Sequence, residues 1–391
     1  ADGGTWLEGD LMVEFVEPSA VERLDRAGVG EESGSGGHLL VLRELPGVER
    51  LETRVVAGVK LEVRDFSDPI TGLMVSVPER GEPLLNALHL KRGRMVQPDS
   101  ADEVVLADSF ADAHGLEPGD TLAAIVKGKR RQLTVVGVAV SPEYIYQIAP
   151  GAMFPDFKRY GVLWAGRDAL AAAYDMEGAF NDVALTLARD ANVREVIDRV
   201  DAVLAGYGGT GAYARPDQLS NRFLAEELKQ LQTTATLFPA IFLGIAAFLL
   251  DVVVSRLVAL QREQVAILKA FGYSNLAVLA HYVKLVMGLV AIGVAAGVAL
   301  GAWFGQGLSN AYTETTFRFP YLDFGVRPGV VLAALAISAA AAVSGTLYSV
   351  YRAARLAPAE GMRPETPTVY RATFIERIGL HETLSRFVPS D

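Results

Sequence analysis

The chain has 391 residues, of which 51% are hydrophobic, and it carries 36 basic and 46 acidic side chains but no cysteine. The absence of cysteine excludes disulfides, thiolate metal sites and a cysteine nucleophile. Residues 1–222 carry 23 basic and 35 acidic side chains, a balance of −12, whereas residues 223–391 carry 13 and 11, a balance of +2. An acidic first half argues against a nucleic-acid partner, which would require a basic surface.

The first strands and helices of the chain are predicted within residues 10–63. Asp10–Val16 alternates between apolar and polar residues, as a strand does. The next segment, Val21–Gly37, is charged and rich in Gly and Ser, which is typical of a loop. A short helix is predicted over His38–Leu45 and a strand over Arg50–Val63.

A mostly β subdomain is predicted over residues 66–150. It comprises a strand at Glu103–Leu106, a helix at Ala107–His114, and a hairpin of Thr121–Val126 and Gln132–Val140 around Gly128.

A further strand, Asn181–Leu187, and an amphipathic helix, Asn192–Tyr207, follow this subdomain. We expect the strands and helices at the two ends of residues 1–215 to form one α+β layer, into which residues 66–150 are inserted. The alternative is two consecutive small domains, which we consider less favourable because each would be too thin to bury a core. The predicted fold class is therefore an α+β domain of two subdomains, followed by a bundle of membrane helices.

Three apolar segments, at about 235–255, 279–305 and 329–350, are long enough to cross a bilayer, which takes about 20 residues. Buried helices of a globular core are the alternative, but such helices show a polar face and Ala240–Leu250 has none. Basic residues near the helix ends indicate the cytoplasmic side. They are Arg256, Arg262 and Lys269 between the first two helices, and Arg352, Arg355 and Arg363 after the third.

This orientation places the domain before Ala235 on the side of the membrane away from the cytoplasm. Export of such a domain requires an earlier membrane helix or a cleaved signal. We therefore expect one of these before Ala1.

The segment 216–234 is predicted to be a helical stalk that continues into the first membrane helix. Pro216 suits the first turn of a helix, and one stripe of the segment is apolar. The leucines of this stripe, expected to pack on a paired helix, are Leu224, Leu228 and Leu231. A rod of this kind can transmit motion across the membrane, although a simple connector remains the alternative.

Four glycines of the second membrane helix recur every four residues, so that they share one helix face and allow another backbone to approach closely. They are Gly293, Gly297, Gly301 and Gly305. We expect this ridge to pack against a neighbouring helix of the same half or against a second, similar half.

Motifs for catalysis are absent from the sequence. It contains no Gly-x4-Gly-Lys-Ser/Thr loop, no Gly-x-Ser-x-Gly elbow and no His-Glu-x-x-His pair. We therefore expect no catalytic residues, cofactor site or metal site in this chain.

The segment Val258–Ser274, which reads VALQREQVAILKAFGYS, carries a specific resemblance. It resembles the signature of FtsX/MacB-type permeases, the membrane subunits of type VII ABC transporters, with matches at Arg262–Gln264 and Leu268–Ser274. Arg352–Glu365 resembles the exit from the last helix in that family. Val135–Tyr146 looks like part of a MacB-like periplasmic domain.

The resemblance implies that residues 235–365 form an FtsX-like membrane domain and that 366–391 is a cytoplasmic tail or a linker to a second half. It also implies that a separate cytoplasmic ABC ATPase, expected as a dimer, holds ATP and Mg and docks on a short helix of this chain. The implied coupling residues are Gln261, Arg262, Glu263, Ile267, Leu268, Lys269, Phe271 and Gly272. Within this helix, we expect Leu260, Ile267, Leu268 and Phe271 to pack, and the charged residues to face the partner.

The resemblance implies a non-catalytic permease that moves its outer domain to extract or export a lipid, a lipoprotein or another envelope substrate. Further partners are membrane lipid, a second permease half and an extracytoplasmic protein. The alternative is an FtsX-like signalling scaffold that activates an extracytoplasmic partner such as a cell-wall hydrolase.

Overall fold

The structure is a computed structural model that describes residues 11–15, 41–81, 83–320 and 324–354. The chain divides into two compact units. One, here called the mixed unit, comprises Ala1–Thr236 and Leu300–Val326. The other, the helical unit, comprises Leu237–Ala299 and Arg327–Asp391.

The first sheet of the mixed unit has four antiparallel strands in the order β11-β1-β10-β2. They are β1 (Leu11–Phe15), β2 (Val48–Arg54), β10 (Asp182–Leu187) and β11 (Gly209–Ala214). The helix Val193–Leu204 buries Val196 and Val200 in one core with Leu51 and Leu185. The predicted layer, made from both ends of residues 1–215, is therefore confirmed for the described residues.

The second sheet has seven strands in the order β5-β8-β6-β9-β4-β3-β7, and β7 also pairs with β8, which closes a ring of six strands. Two short helices, α1 (Asp108–His114) and α2 (Arg167–Ala173), follow β6 and β9. The core of this subdomain includes Phe110, Leu106 and Leu163, which are fully buried. The strands are β3 (Val56–Glu62), β4 (Ile70–Val77), β5 (His89–Gly93), β6 (Glu103–Ala107), β7 (Thr121–Val126), β8 (Lys129–Val140) and β9 (Tyr160–Gly166).

The prediction of a single strand over Arg50–Val63 is wrong, because β2 and β3 are separate strands in different sheets. The chain crosses between the sheets at Val55, whose N–H donates to Ser76 Oγ at 2.9 Å. The side chain of Asn181 accepts a hydrogen bond from the N–H of Val56 and donates one to its carbonyl oxygen, each at 2.7 Å. It thus binds the backbone groups that a neighbouring strand would otherwise bind. The second sheet therefore extends from Val56 to Gly166, beyond the predicted range 66–150 on both sides.

The helix Val193–Leu204 is α3. After the sheets, the described residues form four further α-helices: α4 (Leu219–Leu260), α5 (Arg262–Ala270), α6 (Asn275–Thr315) and α7 (Pro328–Ala354). By length and composition, α4, α6 and α7 can each cross a membrane, in agreement with the three predicted segments. Pro216 does not begin the stalk helix as predicted. It lies in a 3-10 turn, Arg215–Asp217, and α4 begins only at Leu219.

The helical unit has its own apolar core, to which α4, α5, α6 and α7 contribute. Its buried residues are Val254, Val258, Val265, Val278, Tyr282, Val286 and Ala342. A separate close approach joins α7 to α4 at Gly345, where a Cβ atom would lie 2.6 Å from the carbonyl oxygen of Ala247. Because that oxygen belongs to the backbone, a side chain at this position would push the two helices apart.

We expect Gly345→Ala to lower the stability of the helical unit by about 1–3 kcal/mol, the usual cost of overpacking. The measurement is the apparent Tm of the full chain in detergent. Gly288→Ala is the matched control, since nothing lies within 4 Å of a Cβ atom there, and alanine favours the helix. Equal Tm values for the two variants would contradict the close contact.

Candidate functional site

A buried ion cluster lies in the mixed unit where the chain passes between the two sheets. Arg54 Nε donates to Asp182 Oδ1 at 2.7 Å, and Arg54 Nη2 donates to Glu143 Oε1 at 3.0 Å. All three residues are buried. Burial acts to lower the pKa of Arg54, but the charges of Asp182 and Glu143 outweigh it and the pKa lies well above its ordinary value. The guanidinium therefore stays protonated and joins β2, β10 and the segment after β8.

The segment after β8 also fixes the beginning of α4. Glu143 lies in the 3-10 turn Pro142–Tyr144, and its carbonyl oxygen accepts a hydrogen bond from Gln218 Nε2 at 3.1 Å. Three residues after Glu143, the N–H of Tyr146 donates to Ser220 Oγ at 2.9 Å. The residue that pairs with Arg54 is thus itself bonded to the start of the stalk helix.

Aromatic side chains extend this connection to α6. The ring of Tyr146 stacks on Phe223 of α4 with centroids 4.5 Å apart and contacts Phe317, just after α6, at 5.5 Å. The N–H of Arg318 donates to the carbonyl oxygen of Ile145 at 2.8 Å. We call the cluster of Ile145, Tyr146, Phe223, Leu224 and Phe317 the stalk joint.

Arg318 strengthens the stalk joint through charge. Its Nη1 lies 3.1 Å from Asp112 Oδ2 and 3.7 Å from Asp108 Oδ2, and its guanidinium lies over the ring of Phe157. Asp108 is buried and also accepts from Lys91 Nζ at 2.7 Å. The two partners on α1 are about 200 residues away in the sequence, so sequence reasoning did not find them.

The stalk leucines have different environments. Leu224 packs in the stalk joint, against the buried residues Ile145, Tyr146 and Phe317, and its packing on a paired helix stays a prediction. Leu228 and Leu231 are 57% and 37% exposed. A paired helix for these two residues stays a prediction.

The coupling helix predicted at Gln261–Phe271 is observed as α5, with Gln261 before its first residue and Phe271 after its last. The packing prediction is wrong. Val265 and Ala266 are the buried residues of α5, and Gln261 Oε1 accepts from Tyr282 Oη at 2.8 Å. The residues expected to pack are exposed instead: Leu260 (78%), Ile267 (41%), Leu268 (42%) and Phe271 (80%).

The remaining predicted coupling positions lie at the two ends of α5. Glu263 is exposed in the first turn, Lys269 is half-buried in the last turn, and Gly272 follows with a positive φ of 90°. Arg262 is the first residue of the helix. A helix with both charged and apolar side chains on its free surface is suited to bind a protein partner.

The glycine ridge is not a packing face for most of its length in the described part of the chain. Nothing lies within 4 Å of a Cβ atom built at Gly293, Gly297 or Gly301, whereas one at Gly305 would lie 2.8 Å from the ring of Phe324. Packing of the first three against another helix or a second half stays a prediction. The tight glycine contact that the sequence did not reveal is Gly345.

Comparisons with known proteins show similarity to parts of this chain. Residues 236–358 match the family model described as the FtsX-like permease C-terminal domain. This part of the chain is similar to the C-terminal part of FtsX-like permeases. An uncharacterized ABC transporter permease protein of Mycobacterium tuberculosis is 26% identical to it over 266 residues, which are 66% of this chain and 29% of that protein. The chain thus spans less than a third of the length of this curated relative.

Two solved structures are similar to this chain at low sequence identity. The periplasmic region of MacB from Actinobacillus actinomycetemcomitans is 12% identical, and the match covers 56% of this chain and 92% of that one with a TM-score of 0.33. The extracellular domain of the noncanonic ABC-type transporter YknZ from Gram-positive bacteria is 10% identical, with 52% and 98% covered and a TM-score of 0.32.

The residues that match the family model include α5. The ion cluster and most of the stalk joint lie before residue 236. The one signal for them in the sequence was the Val135–Tyr146 segment, which contains Glu143 and Tyr146. Its resemblance to a periplasmic domain did not indicate which partners these side chains have.

We expect Arg54→Met to destabilise the protein by about 3–5 kcal/mol, because it leaves Glu143 and Asp182 buried without their shared cation. The apparent Tm in detergent, followed by intrinsic fluorescence, measures the loss. Arg130→Met is the matched control: its ion pair with Glu62 is exposed, so that the Tm should hardly change. If both variants unfold at the same temperature, the ion cluster is not a stabilising element.

Proposed function

We propose that this chain is a non-catalytic permease subunit that couples ATP hydrolysis by a separate cytoplasmic ABC ATPase to movement of its extracytoplasmic domain. The observation that carries the proposal is the exposed apolar surface on and around α5. ATP and Mg belong to the partner ATPase. The proposed substrate is a lipid, a lipoprotein or another molecule of the envelope of a bacterial cytoplasmic (inner) membrane.

The surface of α5 supports an ATPase partner. Val265 and Ala266 hold the helix to the core of the helical unit, which leaves Leu268 and Phe271 exposed. Exposed apolar residues in one patch are characteristic of an interaction surface. The neighbouring cations Arg256 and Lys269 favour the cytoplasmic side of the membrane, where ATP is available.

The first test replaces the exposed apolar residues of this surface by charge. We expect Leu268→Glu/Phe271→Glu to weaken binding of the ATPase about tenfold or more, since each buried side chain of this size contributes about 1.5–3 kcal/mol. The measurement is the amount of the ABC ATPase that copurifies with the chain, together with its stimulated ATP hydrolysis.

The matched control is Val193→Glu, which places the same charge on an exposed apolar position of α3. It should leave copurification unchanged. Normal ATPase binding by the Leu268→Glu/Phe271→Glu variant would exclude α5 as the docking element.

The continuity of α4 supports mechanical coupling. This helix has 42 residues, or about 63 Å at ~1.5 Å per residue, and includes Pro239 in its interior. Its first turns are bound to the mixed unit through Gln218, Ser220 and Phe223. We propose that a movement of α5 on ATP binding reaches the outer domain along this helix and through the stalk joint, without substrate entering the cytoplasm.

The second test interrupts the helix. A flexible Gly-Ser segment inserted between Gln232 and Thr233 should leave ATPase binding and hydrolysis intact while the outer domain no longer responds to ATP. Because the chain has no cysteine, Met153→Cys and Leu276→Cys can be labelled specifically. The distance between these labels, measured with and without a non-hydrolysable ATP analogue, reports the response.

The control insertion places the same Gly-Ser segment between Lys127 and Gly128, in the turn between β7 and β8. The ATP-dependent change in distance should persist in this variant. A change that also persists after the insertion in α4 would rule out transmission along the stalk.

A further inference from the structure

A cleft of about 520 Å³ opens in the mixed unit between the two sheets. One wall is formed by Leu51, Glu52 and Thr53 of β2. The opposite wall comes from the end of β4 and the residues after it, together with Arg167 at the start of α2. This volume lies within the range of small-molecule sites, about 300–1,000 Å³, and both subdomains contribute to it.

The carboxylates of the cleft already have partners in the backbone. Glu79 accepts from the N–H of Asp168 at 2.8 Å through Oε1 and from the N–H of Asp99 at 3.2 Å through Oε2. Glu52 Oε2 accepts from the N–H of Leu85 at 2.8 Å. Burial raises the pKa of Glu52 above its ordinary value.

The cations of the cleft have unused donors. Arg167 is held in place by Thr53, whose Oγ1 and carbonyl oxygen both accept from Nη1. Its other guanidinium nitrogens make no hydrogen bond to the described residues. Arg43 and Arg80 also line the cleft, are exposed, and form no ion pair within the described part of the chain.

Three guanidinium groups thus converge on one cleft of a chain half whose net charge is −12. Guanidinium forks match the oxygens of a phosphoryl group and bind them bidentately. The cleft is larger than one phosphate, and Pro78 and Leu84, which is 57% exposed, provide apolar surface beside the cations.

We propose that this cleft binds an organic phosphate, with the phosphoryl group between Arg43, Arg80 and Arg167 and the organic part against Leu84. Because the two walls belong to different sheets, the bound ligand bridges the two subdomains. The phosphoryl group is that of either a soluble phosphate ester or a lipid headgroup. This site is independent of the proposed coupling to an ATPase.

The test uses the full chain in dodecyl maltoside and phosphate-free buffer, titrated in a calorimeter with sn-glycerol 3-phosphate and, separately, with dihexanoyl phosphatidic acid. We expect saturable binding of at least one probe. Tighter binding of the glycerol ester identifies a soluble ligand, and tighter binding of the phosphatidic acid identifies a lipid. Arg43→Ala/Arg80→Ala should weaken binding about tenfold or more, because two charged donors are lost.

The matched control is Arg64→Ala, which removes an exposed cation of the same unit outside the cleft and should leave the dissociation constant unchanged. The positions involved are exposed, so that an unchanged Tm should show that each variant is folded. Absence of binding for both probes, equal binding of propionate, or equal weakening by Arg64→Ala would overturn the proposal.

Discussion

Arg54 is a cation that the fold encloses, and its position constrains the rest of the mixed unit. It is 7% exposed and lies between two buried carboxylates, one at the start of β10 and the other after β8. A buried charge without its partners strongly destabilises the folded state, so the fold requires the three segments to lie together around Arg54. The chain leaves the first sheet at Arg54 and returns to it at Asp182. The ion cluster therefore lies where the chain passes between the two sheets.

The same constraint determines how the stalk begins. Glu143 and Tyr146 lie in one short segment, so that the geometry that buries Glu143 also presents Tyr146 to Phe223 and Phe317. Charge on one side of the segment and aromatic packing on the other link the sheets to α4 and to the end of α6. Any force carried by α4 would therefore act first on this segment, close to the boundary between the subdomains.

The helical unit applies a different principle. Val265 and Ala266 fix α5 with small buried side chains, and the larger apolar residues remain exposed. A helix with this distribution is held by its own chain and can still bind a second protein. The close contact of Gly345 with Ala247 similarly depends on a small residue, because only the absence of a side chain permits the two backbones to approach.

The sequence alone determined the features that depend on local pattern. Apolar runs of about 20 residues can have few structures other than membrane helices, and alternation with turn residues located strands such as Thr121–Val126. The α5 segment was found because its residues are contiguous. Tertiary structure decided what depends on contacts between distant residues: the division of Arg50–Val63 between two sheets, the exposed side of α5, and the pairing of Arg318 with Asp112. Apolar and polar residues alternate in the same way before and after Val55, so the sequence does not show where one strand ends and the next begins. The sequence also does not show which residue a charged side chain pairs with. Only the folded chain distinguishes these arrangements.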